Sequence, residues 1–336
     1  MRIICFLMIL LHHLITQVSF SASEILGVNG LLSPQKTYAI ALNGFCYIGV
    51  NVFMLITGYF GIIFKWKGVL KLYLLLVFYA FFQCLCQAYI GTYHFSLGSI
   101  KYIFLVFTNF ARTNLWFMNC YIIFYFLSPM IRLENISNSM HTRIIVLASI
   151  INIYFGYIWD DYSNGYSVGQ FIYMYVIGSY IRKFISVNKT KRYQYLLSYI
   201  IFCSIFVSLS ILNYYVDIPF WKAYYYNNPL LIAGSIGFFL FMLTFHFHSN
   251  VVNRIAASSI GMYLAFNSDV IKRIIQLSDS KFYEGGVECI HIMPIVAISL
   301  GLVYIMIDQL RIIVQKPITY LIFFATKKMK QAYSEH

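Results

Sequence analysis

Ten apolar stretches, each close to twenty residues long, leave this chain few ways to fold. They lie at about 2–21, 41–63, 69–91, 115–132, 142–159, 168–184, 194–213, 229–247, 254–275 and 290–312. A helix needs about 20 apolar residues to cross the hydrocarbon of a bilayer. The expectation is therefore an all-α fold, a polytopic membrane helix bundle with about ten transmembrane helices. Composition agrees: only 10% of the residues are charged, where a soluble domain has about a quarter. Residues 98–112 are apolar but short, and are read as a re-entrant or interfacial segment. No linker, repeat or low-complexity run divides the chain. One integral-membrane domain is expected over 1–314, followed by a short basic tail at 315–336. An apolar patch and lysines after Pro317 suit that tail to the inner leaflet.

Loop cations orient the bundle. With the N-terminus inside, one side holds Arg2, Lys65, Lys67, Lys71, Arg132, Arg143, the 181–192 cluster, Arg254, Arg311 and the lysines of the tail. The other side keeps Lys36, Lys101, Arg112, Lys222, Lys272, Arg273 and Lys281. The positive-inside rule then places both termini in the cytoplasm. The net charge of +13 is thus a topology signal and implies no nucleic-acid partner. The seven cysteines fall mostly within apolar spans. Cys84 and Cys86 form C-x-C without a second pair, so neither a metal site nor a disulfide framework is expected.

The first span carries the most informative polar residues. Arg2 opens it, and His12 and His13 lie deep inside. At about 100° and 1.5 Å per residue, His13 returns to within roughly 20° of Arg2 and about 16 Å further in, whereas His12 is turned about 80° away. Ionisable groups at that depth are costly and point to function. Two plainer readings compete. One is a structural histidine bonded to a neighbouring helix. The other is a secretory signal peptide ending near Ser21-Ala22-Ser23; a pair of histidines suits its apolar core poorly, and many spans follow.

The second span, Gly44 to Phe60, places Asn51 near mid-membrane among the small residues Gly44, Gly49, Thr57 and Gly58, which allow close helix approach. It leads into Lys65 and Lys67, on the side of Arg2. Three cations at one mouth suit a phosphate-rich ligand; two positive-inside anchors are the plainer reading of the lysines. In the fourth span Tyr121, Tyr125 and Ser128 share a face, most simply a packing face. Two outer loops, 159–166 and 214–228, combine aromatic rings with carboxylates and amides. Such surfaces match a sugar, apolar on its C–H faces and rich in hydroxyls, or else form an ordinary interfacial aromatic belt.

Taken in order, Arg-x10-His in the first span, Gly-Val-Asn-Val-Phe-Met-Leu-Ile-Thr-Gly-Tyr-Phe (49–60), Leu-Trp-Phe-Met (115–118) followed by Leu-Ser-Pro (127–129), Tyr-Val-Ile-Gly-Ser-Tyr-Ile-Arg (175–182), Tyr-Asn-Asn-Pro-Leu (226–230) and Ile-Asp-Gln-Leu-Arg (307–311) resemble acyltransferase family 3, the bacterial integral-membrane O-acyltransferases, and within it the polysaccharide O-acetyltransferase type. The resemblance implies a multi-pass protein of the bacterial inner membrane. It implies transfer of an acetyl or other short acyl group from cytoplasmic acyl-CoA to a hydroxyl of an envelope or capsular polysaccharide or its lipid-linked precursor. Acetyl-CoA enters as donor substrate, with no bound cofactor. The family's Arg-x10-His falls on Arg2 and His13, and its Arg-x-Arg pair falls loosely on Lys65 and Lys67. Lysine lacks the bidentate fork that grips phosphate. Many members carry a histidine after Tyr-Leu-Ile in the ninth span; this sequence has Tyr263-Leu264-Ala265-Phe266. Members also usually carry several residues ahead of the motif arginine, where this sequence has Met1 alone.

On this reading Arg2, Lys65 and Lys67 bind the donor, His13 is general base or transient acyl acceptor, with His12 beside it, and Asn51 or Tyr121 donates to the oxyanion. Expected partners are acyl-CoA, an envelope glycan or lipid-linked sugar, and membrane lipid. The rival classes are a lipid-linked oligosaccharide flippase and a polysaccharide polymerase. A flippase wants a cation-lined cavity in mid-membrane, and a polymerase larger arginine-bearing outer loops; neither is evident.

Overall fold

A computed structural model describes residues 1–19, 32–89, 96–105, 115–131, 133–159, 164–216, 218–219, 221–245, 248–266 and 291–334. Ser21-Ala22-Ser23, Arg112, Arg132, Lys272, Arg273, Lys281, residues 160–163 of one aromatic loop, Asp217 and Phe220 of the other, and the ends of the expected segments 98–112 and 254–275 lie outside them.

The described elements are helical, and every expected span contains a helix. They run α1 Arg2–Ser19, α2 Pro34–Cys46, α3 Gly49–Phe60, α4 Trp66–Tyr89, α5 Leu97–Phe104, α6 Trp116–Leu127, α7 Asn138–Ser149, α8 Val168–Phe184, α9 Arg192–Tyr215, α10 Pro229–Leu243, α11 Asn250–Ala257, α12 Ser259–Phe266 and α13 Met293–Ser334. Five helical stretches are long and apolar enough to cross a membrane: Pro34–Phe60, Trp66–Tyr89, Asn138–Ile158, Lys189–Tyr215 and Met293–Tyr320. Shorter apolar helices lie at Arg2–Thr16, Trp116–Met130 and Pro229–Leu243.

Local chemistry explains where the helices depart from the apolar runs. The second span starts seven residues before its apolar run, because Ser33 caps it, its hydroxyl accepting from Lys36 N–H at 3.2 Å, and Pro34 occupies the first turn. The fifth changes at Ile150 to a wider π-helical turn that runs to Ile158. The ninth is broken at Ser258 into α11 and α12. The last continues through Pro317 to Ser334, so the described part of the expected tail extends α13.

The packing places α1 centrally. It lies against α2, α3, α11, α12 and α13, and Cys5, Leu10, Leu14 and Ile15 are fully buried in those contacts. A close crossing joins α3 to α8. A Cβ on Gly58 would overlap the Tyr175 carbonyl, and one on Gly178 would overlap the Leu55 carbonyl, so the two backbones touch where both helices carry glycine. Asp308 of α13 is wholly buried, paired with Arg311 at 2.6 Å and accepting from the Tyr79 hydroxyl of α4 at 2.9 Å. A Cβ on Gly261 of α12 would overlap the Asp308 carboxylate. The ion pair therefore seats α12 against α4 and α13.

Candidate active site

The polar residues of α1 separate onto two faces. His12 is buried and faces α2: its Nδ1 lies 2.6 Å from Asn43 Oδ1, and its ring meets Tyr47 edge-on at 4.8 Å. His13 is half-buried and faces a small, mainly apolar cavity together with Phe6 and Ile9 of its own helix. Phe6, Ile9 and His13 stand four, seven and eleven residues after Arg2, all within about 40° of it around the helix. One stripe thus leads from the guanidinium to the imidazole. Val50 and Phe53 of α3, Trp116 and Phe117 of α6, and Ser259 and Tyr263 of α12 supply facing walls.

The two ends of α6 are unlike. At one, outside the cavity lining, Arg2 lies within electrostatic range of Tyr121. One turn further along α6, the Tyr125 hydroxyl accepts from Lys65 N–H at 3.0 Å and donates to Lys65 C=O at 3.1 Å. These contacts bring Arg2 and the Lys65–Lys67 segment to the same end of α6, with the Lys65 and Lys67 side chains exposed. The other end is aromatic. Trp116 and Tyr226 line the cavity with ring centroids 5.2 Å apart.

Tyr226 belongs to one of the two aromatic loops, and that loop folds into the bundle. Tyr226, Asn227 and Asn228 are buried. The Tyr226 carbonyl accepts from Asn51 Nδ2 and from Gln170 Nε2, each at 2.9 Å, and Gln170 Nε2 also donates to Asn51 Oδ1 at 3.0 Å. The Tyr226 N–H donates to Asn164 C=O at 3.1 Å. Asn227 donates to the Asn152 carbonyl and Asn228 to the Tyr157 hydroxyl. Gly165 makes the approach feasible: its φ is 77°, and a Cβ there would lie 2.6 Å from Asn227 N.

Of the residues singled out in the sequence, His13 lines the cavity and Arg2 stands on the stripe leading to it. His12 is held by Asn43. Asn51 holds the Tyr226 carbonyl and stands behind the cavity wall. Tyr121 stacks on Phe117 at 6.2 Å, toward the Arg2 end. Phe266 packs its ring on that of His13 at 5.3 Å. Gln170 and Asn43 stood out in no motif, and Tyr226 was marked only within the 214–228 loop and the 226–230 motif. A lone amide inside an apolar helix was the available signal for Gln170.

The family model described as an acyltransferase domain matches residues 1–307. The chain belongs to this family, acyltransferase family 3. No curated protein and no solved structure gives a significant match to the chain. The family and the apolar helices together make it a multi-pass membrane acyltransferase. Its match ends just before Asp308, so it covers all of α1 through α12 and the whole cavity wall.

Proposed function

We propose that the protein transfers an acetyl or similar short acyl group from acyl-CoA to a hydroxyl of an envelope polysaccharide or its lipid-linked precursor, at the inner membrane of a bacterium. The observation that carries this reading is the α1 stripe, with a cation at one end and an imidazole in a mainly apolar cavity at the other. The cationic end, Arg2 with Lys65 and Lys67, suits the phosphates of coenzyme A as donor. An apolar passage past Phe6 and Ile9 suits the pantetheine arm. His13 takes the proton of the acceptor hydroxyl as its oxygen attacks the thioester carbonyl. The C–S bond then breaks, and the proton passes to the departing thiolate, giving ester and free thiol. Attack by a neutral His13 nitrogen, with a transient acyl-imidazole, is the two-step form of the same transfer.

His13→Ala and His12→Ala separate the roles. His13→Ala should lose activity by about 10²–10⁴-fold while protein still accumulates in the membrane. His12→Ala should retain most activity, with a packing loss from the Asn43 bond. The measurement is acetate released by mild alkali from the glycan of cells carrying each variant, set against membrane protein level. Activity in His13→Ala together with its loss in His12→Ala refutes the assignment.

A further inference from the structure

The aromatic end of the His13 cavity is built with more care than packing demands. An aliphatic side chain would fill the wall without carrying a polar group into the bundle. Instead Tyr226 is buried there, and its backbone takes two amide donors from separate helices, Asn51 of α3 and Gln170 of α8. Its ring is held from several sides: stacked on Tyr47 at 4.5 Å and 12°, and against Tyr166 at 4.9 Å. Trp116 completes the wall at 5.2 Å from Tyr226 and 4.6 Å from Tyr166. Aromatic faces match the apolar C–H faces of a pyranose, and indole and phenol edges offer hydrogen bonds to its hydroxyls. The donor's phosphates belong at the opposite, cationic end, so His13 stands between two chemically distinct approaches.

We propose that Trp116 and Tyr226 wall the acceptor subsite, bordering one pyranose ring so that its hydroxyl meets the His13 imidazole, and that Asn51 and Gln170 are positioning residues acting through Tyr226. The inference rests on the acyl-transfer reading and adds to it where the acceptor binds.

The test uses membranes containing the full chain, radiolabelled acetyl-CoA, and the producing cell's own envelope polysaccharide stripped of esters by mild alkali. Tyr226→Leu and Trp116→Leu should each raise the apparent KM for stripped polysaccharide tenfold or more, with the KM for acetyl-CoA changed less than twofold. Tyr226→Phe and Trp116→Phe keep an aromatic face at each position, accumulate normally, and should show smaller rises of the same kind. Gln170→Leu should raise the acceptor KM about threefold at unchanged donor KM; a merely structural amide would lower kcat or protein level without that split. Changed donor KM with constant acceptor KM, or constant acceptor KM in every variant that accumulates, overturns the subsite. Wild-type membranes that transfer no acetyl overturn the acyl-transfer reading itself.

Discussion

The amide triangle among Asn51, Gln170 and the Tyr226 carbonyl yields a quantitative expectation. Gln170→Leu removes two of its three hydrogen bonds and leaves Asn51 Oδ1 without its described donor. Hydrogen bonds between helices in membranes average about 0.6 kcal/mol, so the two bonds amount to about 1.2 kcal/mol. A stranded buried acceptor costs about 1–3 kcal/mol. The expected destabilisation is therefore about 1–3 kcal/mol. Asn51→Leu also removes two bonds, but Gln170 continues to serve the Tyr226 carbonyl, which keeps the loss near the lower end, about 1 kcal/mol. The double variant removes all three. Because both single changes count the shared Gln170–Asn51 bond, the double should cost less than their sum by about 0.6 kcal/mol or more. The assay is unfolding of purified protein in mixed micelles on titration with a denaturing detergent, followed by far-UV circular dichroism. Additivity within about 0.3 kcal/mol would show that the amides do not share a network and would refute the triangle as the anchor of Tyr226.

Further outcomes follow from other contacts. Lys65→Ala with Lys67→Ala should raise the apparent KM for acetyl-CoA more than it lowers kcat, as phosphate contacts made equally in ground and transition states do; unchanged donor dependence would leave the lysines as topology anchors. Phe266→Leu frees the His13 ring from its 5.3 Å neighbour and should lower kcat by about 2–10-fold, the equivalent of an aromatic pair worth 0.5–1.5 kcal/mol; an unchanged kcat at normal protein level would show that Phe266 does not orient the imidazole. Asp308→Ala leaves Arg311 with Gln315 alone and the Tyr79 hydroxyl without its acceptor, and should destabilise by about 1–3 kcal/mol, read as a fall in membrane protein level that Asp308→Glu partly restores. Gly178→Val pushes α8 off α3 and should cost at least 1–3 kcal/mol, an ordinary overpacking loss; normal thermal stability of that variant in detergent would contradict the close crossing.

The sequence disclosed the helices through the lengths of its apolar runs, because backbone satisfaction in lipid makes helix nearly obligatory there. It also separated His13 from His12, since 100° per residue is enough to assign their faces. The Ser258 break was hidden because hydropathy averages across a single turn of chain. The start of α2 was hidden for the converse reason: its Ser33–Pro34 signal is polar and lies ahead of the apolar window. Asn51 was visible as a polar residue at depth, but its partner was not. That partner is a backbone carbonyl, which every residue possesses, delivered from a loop 175 residues away. Aromatic composition marked the 214–228 loop, yet composition does not distinguish a belt lying at the interface from a segment tucked among helices.

The central position of α1 has a consequence for biogenesis. It is synthesised first, yet α12 and α13, near the other end of the chain, supply much of its seat. Contacts so distant in sequence form late and slowly. Until α12 is made, the Arg2–His13 stripe lacks the wall bearing Ser259 and Tyr263, and its imidazole must wait in the bilayer or against provisional neighbours. Competence to form the cavity is therefore acquired near the end of translation. A chain halted after α10 would hold most of the helices and still leave the imidazole without its enclosure.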